Sequence, residues 1–289
     1  MSTLVKPSIL LHLDTDLQPS VFDAVVAIDS GVDHLLRHGA VTPEVVEGLV
    51  HGLLFTRGLA ELGRSAIFVG GGNVELAEAI YHQVLRSFFG PFRVSVGLDP
   101  NGCNTTASSV VLAILKAFDG QLKGVKVGVL AGTGPVGQRV ARIVASQGAI
   151  ASIGSRTLDR ARSVADQLSQ SSTNRVAGLT NQQLIDEHND SDVLVSAGAA
   201  GAILLNKRDW AKLSNLKALI DVNAVPPVGI EGVEPGDKDT LREGIRCWGA
   251  LGIGGTKMKI QRKAIQELFT SNTRLLDAED IFALARSGL

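Results

Sequence analysis

The sequence predicts an α/β protein of two domains, each built on a mainly parallel sheet. Three observations predict it. Strand-like apolar runs alternate with helix-like segments along the whole chain. The length, 289 residues, suits two domains or one large one. Near the middle, Val127-Gly128-Val129-Leu130 leads into Gly132-Thr133-Gly134-Pro135-Val136-Gly137 and then an apolar helical stretch, a strand–glycine loop–helix unit.

In order, residues 8–14 read as a buried strand, and 20–29 and 43–54 have helical character. Residues 65–70 form a second apolar run, ending in Gly70-Gly71-Gly72. Asn73 is placed to cap a helix through residue 89, which Gly90-Pro91 breaks. Residues 92–98 read as a strand. Asn104-Thr105-Thr106 is placed to cap a helix running to residue 118. Strands follow at 126–131, 150–154, 193–197 and 218–222, with helices at 135–146 and 158–168. The glycine-rich segment 249–255 reads as a loop feeding helices at about 256–270 and 277–286, the second capped by Asp277. The domains are expected at 1–103 and 104–255, with residues 256–289 packing back on the first.

Bulk properties exclude several classes. A hydrophobic fraction of 45% with 20% charged residues is that of an ordinary globular core. A formal net charge of -1 gives no footprint for nucleic acid or a membrane surface. The two cysteines, Cys103 and Cys247, are no disulfide framework and fit a reducing compartment. No export signal or membrane span is read, so a cytoplasmic location is expected. His34 and His38 share a spacing of four, but without a zincin glutamate they are not taken as metal ligands.

The glycine loop points to a Rossmann-type dinucleotide site. Gly132 permits the tight turn, Gly134 lets backbone approach a pyrophosphate, and Gly137 lets helix and strand pack closely. Thr133, Pro135 and Val136 complete the loop at the positive end of the helix. The next strand ends in Ser155-Arg156-Thr157, with no acid to bind a ribose 2′-OH. Arg156 can pair with a 2′-phosphate and Ser155 can donate to it, with Arg160 one turn on as a further candidate. The expected cofactor is therefore NADP, with NAD use left open. Gly198 and Asn223, after two later strands, are further cofactor-side candidates.

Several blocks then add up to a resemblance. They are Asp14-Thr15-Asp16 with Pro19-Ser20-Val21-Phe22-Asp23, Phe68-Val69-Gly70-Gly71-Gly72, and Phe88-Phe89-Gly90-Pro91-Phe92-Arg93-Val94-Ser95. Asn101-Gly102 with Asn104-Thr105-Thr106-Ala107, residues 130–137 and Gly249-Ala250-Leu251-Gly252-Ile253-Gly254-Gly255 complete the set. Essentially end to end, the chain resembles the bacterial methylene-tetrahydromethanopterin dehydrogenases. The resemblance implies a pterin-side N-terminal domain, a Rossmann domain and a cleft between them. It implies a homo-oligomer, a trimer or a multiple of it. The implied reaction moves a hydride from N5,N10-methylene-tetrahydromethanopterin, or the folate analogue in some members, to NADP or NAD. By position it makes Lys257 an active-site residue and puts Asp14, Asp16, Asp99, Asn101 and Asn104 near the pterin. Pro100 and Cys103 interrupt a segment expected to carry serines, and Thr256 and Met258 replace apolar neighbours of the lysine.

That chemistry needs no metal or proton relay, because lone pairs on the two flanking nitrogens expel the hydride. A charged Lys257 beside the reacting carbon opposes the developing cation. The lysine is therefore expected to contact a pterin carbonyl or to stand partly uncharged, with Asp99 the better cation stabiliser. Rival readings are a shikimate-dehydrogenase-like enzyme, which shares a Ser-Arg-Thr type clamp, a folate-type dehydrogenase/cyclohydrolase, and a non-catalytic NADPH sensor.

Overall fold

A computed structural model describes residues 6–170, 174–186 and 190–288. The chain divides into two compact units, residues 1–105 with 258–289, and residues 106–257. Among the described residues no helix is long and apolar enough to cross a membrane.

The first unit opens with β1 (Ile9–Asp14), α1 (Val21–Asp29), β2 (His34–His38), α2 (Pro43–Leu54), β3 (Ser65–Gly70), α3 (Val74–Arg86) and β4 (Ser95–Leu98). β1, β3 and β4 pair in parallel and are almost wholly buried. A strand covered on both faces has no polar side to show, which is why these read as apolar runs. β2 lies at the sheet edge with both histidines exposed, on a strand rather than a helix. Its partial exposure weakens the hydrophobic pattern, so the sequence does not display it as a strand. Side-chain caps start two helices: Ser20 Oγ accepts from Asp23 N at 3.1 Å, and Asn73 Oδ1 accepts from Leu76 N at 3.1 Å.

α4 (Cys103–Ala117) carries the chain into the second unit. There follow β5 (Lys126–Leu130), α5 (Pro135–Ser146), β6 (Ile150–Ser155), α6 (Leu158–Gln170), β7 (Val176–Thr180) and α7 (Asn181–Ile185). β8 (Val193–Ser196), α8 (Lys207–Trp210), β9 (Ala218–Asp221), β10 (Lys238–Arg242) and β11 (Ile245–Trp248) complete the sheet. Its order is β10-β11-β9-β8-β5-β6-β7, parallel except for the β10–β11 hairpin. The chain leaves β5 toward β6 on one side and later returns to β8 on the other. That reversal leaves a crevice at the carboxyl ends of the strands, where ligands bind in such sheets. The core beneath holds Leu130, Leu194, Leu219 and Trp210, whose Nε1 donates to Glu231 O at 2.8 Å. Each such side chain, fully buried, contributes roughly 1.5–3 kcal/mol.

α9 (Ala250–Glu267) leads back into the first unit. β12 (Leu275–Leu276) pairs with β4, and α10 (Ala278–Gly288) begins where Asp277 Oδ1 accepts from Glu279 N and Asp280 N. The first unit's sheet is thus β12-β4-β3-β1-β2, all parallel. One expectation is corrected here. Residues 250–255 are not a loop but the first turns of α9. A Cβ on Gly249 would lie 2.0 Å from Glu234 O, and one on Gly252 1.7 Å from Asp237 O. These glycines serve close backbone packing, not a turn.

Candidate functional site

In the second unit the glycine loop sits between β5 and α5, at the carboxyl edge of the sheet. Ala131 turns the chain with φ +49°, and Gly132 N then donates to Gly154 O at 2.8 Å. A Cβ on Gly132 would lie 2.7 Å from Val129 O, and one on Gly137 2.5 Å from Gly132 Cα. Both positions therefore admit only glycine. Gly134 differs. A Cβ there would meet nothing nearer than Ala131 O at 3.9 Å, so packing within the fold does not require a glycine. It is the N-cap of α5, no side chain caps that end, and Pro135 takes the first helical position. Val136 lies in the same first turn. An uncovered helix N-terminus behind a glycine turn suits a pyrophosphate. The residues present fit a dinucleotide.

Around this loop, Thr133 is buried; its carbonyl accepts from Gln138 Nε2 at 2.7 Å and its Oγ1 from Arg160 Nε at 3.4 Å. β6 ends in buried Ser155, followed by exposed Arg156. Thus a hydroxyl and two guanidinium groups, but no carboxylate, stand at residues 155, 156 and 160.

Two cofactor-side candidates have structural employment. A Cβ on Gly198 would stand 2.6 Å from Leu204 Cδ1, so that glycine is required by packing. Asn223 is buried; its Oδ1 accepts from Val225 N at 3.0 Å and its Nδ2 donates to Pro227 O at 3.3 Å. It closes its own loop. Two residues earlier, buried Asp221 ends β9 and carries no sequence signal of its own. Its carboxylate accepts from Asn223 N at 3.0 Å and Ile230 N at 2.9 Å, and burial pushes its pKa up.

In the first unit, Asp14 is fully buried. Its Oδ1 accepts from Asp16 N and its Oδ2 from Ser20 N, each at 2.8 Å. Asp16 is exposed and accepts from Gly72 N at 3.0 Å. Exposed Asn101 has φ +51° and donates its N–H to Gly71 O at 2.9 Å. The ends of β1 and β3 and the start of α4 are so tied into one loop cluster.

Asp99 and Asn104 meet at the start of α4. Both are 1% exposed. Asp99 Oδ1 accepts from Asn104 N at 2.8 Å and Thr105 N at 3.1 Å, and its Oδ2 accepts from Thr105 Oγ1 at 2.6 Å. Asn104 Nδ2 donates to Leu98 O at 2.5 Å. The residue whose side chain caps the start of α4 is thus Asp99, not Asn104.

No sequence pattern singles out His12 or Gln261, and Asp23 stands in the sequence only as the end of one block of the resemblance. His12 is 1% exposed, with Nε2 3.4 Å from Asp14 Oδ2, and burial pushes its pKa down to about 4. Asp23 lies beside them; one donor atom from each of His12, Asp14 and Asp23 falls within 4.8 Å of the others. Asp23 Oδ1 accepts from Gln261 Nε2 at 2.6 Å, across 238 positions of sequence. A second tie, Arg262 to Asp29 at 3.2 Å, fastens α9 to α1 again. Half-buried Lys257 stands one helical turn before Gln261 on α9.

Comparison with known proteins agrees with this picture. The family described as methylene-tetrahydromethanopterin dehydrogenase, N-terminal, matches residues 21–101, and that described as shikimate/quinate 5-dehydrogenase matches residues 113–233. The bifunctional protein MdtA of Methylorubrum extorquens is 43% identical over 98% of this chain and 99% of its own. The NAD(P)-dependent methylenetetrahydromethanopterin dehydrogenase of the same organism is 31% identical over 96% of this chain and 97% of its own. Among solved structures, quinate dehydrogenase from Corynebacterium glutamicum in complex with NAD superposes with a TM-score of 0.51 at 14% identity, covering 97% of this chain and 99% of that one, which shows the shared fold. With both units and the dinucleotide loop in place, and with similarity running nearly end to end, the chain belongs to the NAD(P)-dependent methylenetetrahydromethanopterin dehydrogenase family.

Proposed function

We propose that this enzyme oxidises N5,N10-methylene-tetrahydromethanopterin to the methenyl form with NADP. The observation that carries the reading is the 31% identity over 96% of the chain to a relative of that name. The Ser155–Arg156 end of β6 supports NADP over NAD, since a carboxylate there would repel a 2′-phosphate. Bound NADP supplies the hydride acceptor.

The protein's own part is placement and electrostatics. Gly134 and the first turn of α5 would hold the pyrophosphate, and Arg156, Ser155 and Arg160 the 2′-phosphate. Asp16 and Asn101, both exposed at the loop cluster of the first unit, are the side chains there with groups to offer a pterin, and Asp14 fixes their loop. Lys257 would donate to a pterin carbonyl. Two nitrogen lone pairs expel the hydride from the carbon between them, so no side chain removes a proton. Asp99, spent on capping α4, acts by orienting that helix and not by touching the cation.

The same reading includes a homo-oligomer. α1 leaves Val21 70%, Val25 50% and Ile28 61% exposed on one face, more apolar surface than a lone helix usually shows. Light scattering on the purified protein tests it, and a monomer refutes it. The activity is tested by following methenyl formation with methylene-tetrahydromethanopterin and with methylene-tetrahydrofolate, each with NADP and with NAD. The expected result is turnover of the methanopterin carrier with NADP. Absence of turnover with both carriers refutes the reading.

A further inference from the structure

We infer that Asn181, which lies outside the glycine loop, is a positioning residue of the dinucleotide site. Its carboxamide holds the Ala131–Gly132 turn in the one shape that presents that loop. The inference rests on the NADP reading above.

Ala131 has φ +49°, the left-handed region, which an alanine enters only at a cost and a glycine enters freely. Its N–H donates to Asn181 Oδ1 at 2.9 Å. The next N–H, from Gly132, donates to Gly154 O at 2.8 Å. Two successive backbone donors are thus captured, one by β6 and one by the residue that follows β7. Asn181 is itself fixed. It is the first residue of α7, and Thr180 before it forms a capping box with Gln183. The register of β6 and β7, Ser155 opposite Thr180, brings this junction alongside the end of β6.

Gly154 completes the arrangement. A Cβ there would lie 2.4 Å from Asn181 Oδ1 and 2.8 Å from Leu184 Cδ1. The position is vacant of side chain so that the carboxamide can pass beneath the loop. Three adjacent parallel strands therefore interlock at one point, through a backbone donor of the loop itself. Gly134, at the far end of the turn, donates its N–H back to Ala131 O at 3.5 Å and accepts from Gln138 N at 3.0 Å. Its position, and that of the α5 N-terminus, then follows from how the turn is held at Ala131. Without the acceptor, a left-handed alanine with an unmatched N–H relaxes, and the loop moves with it.

The test is NADPH binding by fluorescence titration, with thermal unfolding of the nucleotide-free protein alongside. Asn181→Leu, which keeps the bulk and removes the acceptor, is expected to weaken NADPH at least tenfold. Ala131→Gly alone is expected to leave binding within twofold. The double variant is expected to recover to within threefold of Ala131→Gly, because glycine holds the left-handed turn without help. A carboxamide that merely stabilised the fold would lower the unfolding temperature and would not be rescued in this way. The inference is overturned if Asn181→Leu binds within twofold of wild type, or if the double variant stays as weak as Asn181→Leu. Should Asn181→Leu fail to fold, Gly154→Ala, which drives a methyl into the carboxamide, takes its place with the same rescue and the same refuting results. Failure of the wild-type protein to bind NADPH is a separate outcome; it overturns the cofactor reading and this inference together.

Discussion

In the second unit, the loop that would hold the dinucleotide occupies consecutive positions 132–137 and presents mostly backbone. In the first unit, the polar cluster of His12, Asp14, Asp23 and Gln261 is made of side chains, two of which meet across 238 positions. The first kind of site depends on what is absent, since a single Cβ destroys it. The second depends on what is present, and on a long chain returning to the right place. Damage should therefore differ in kind: abrupt and cofactor-specific in one unit, graded and pH-dependent in the other.

Gly137→Val gives the largest expected effect. Its Cβ would lie 2.5 Å from Gly132 Cα, so helix and turn must part, and NADPH affinity should fall more than about 100-fold, or roughly 3 kcal/mol. Fluorescence titration checks it, and near-normal affinity would show that the loop tolerates separation. Lys257→Met comes next. It should lower kcat/KM for the methylene carrier by about 100-fold, the scale of one lost transition-state donor, with NADPH affinity unchanged; steady-state kinetics in both substrates decide it. Arg156→Ala should raise KM for NADP by about 10-fold, as expected for a charge-assisted hydrogen bond, and leave KM for NAD alone. An equal effect on both cofactors would remove Arg156 from 2′-phosphate recognition.

The smallest effect lies in the first unit. His12 has a folded pKa of about 4, below its unfolded value of 6.5. The unfolded chain therefore takes up a proton first as pH falls. Stability from this group is whole above pH 6.5 and is lost progressively down to about pH 4. Urea unfolding from pH 7 to 4 should show this slope in the wild type and a shallower one in His12→Gln. In the second unit, Asp239 is held down to about 2 by Arg246 and Lys116, so its contribution should fade only below pH 3.8. Identical pH profiles for wild type and His12→Gln would dismiss the imidazole as a source of acid sensitivity.

What the sequence displays follows the same division. The glycine loop is local, each position answering to a neighbour a few residues away, and it can be read directly. Buried strands β1 and β3 are equally plain because a doubly covered strand is apolar throughout. β2 and β7 are partly exposed and lack that signal. Asp99 looks like a free carboxylate after a strand, since nothing local reveals that the N–H groups of residues 104 and 105 fold back onto it. Glycines 249–255 look like a loop because helices disfavour glycine; only the carbonyls of Glu234 and Asp237, brought close by the fold, explain two of them. Asn181 and Gln261 carry no pattern at all, for their partners are strangers in sequence.

The division of the chain also sets an order of events at the ribosome. The first unit is interrupted, its residues 1–105 waiting for 258–289. β4 cannot gain its outer neighbour until Leu275 and Leu276 have been made, nor can Asp23 meet Gln261. By then the entire second unit has emerged, and domains fold largely as they appear. The inserted unit is thus free to fold first, while the unit that begins the chain is the last to close. A stalled or truncated product ending before residue 258 would hold a complete dinucleotide loop beside an open sheet edge at β4, a species exposed to aggregation.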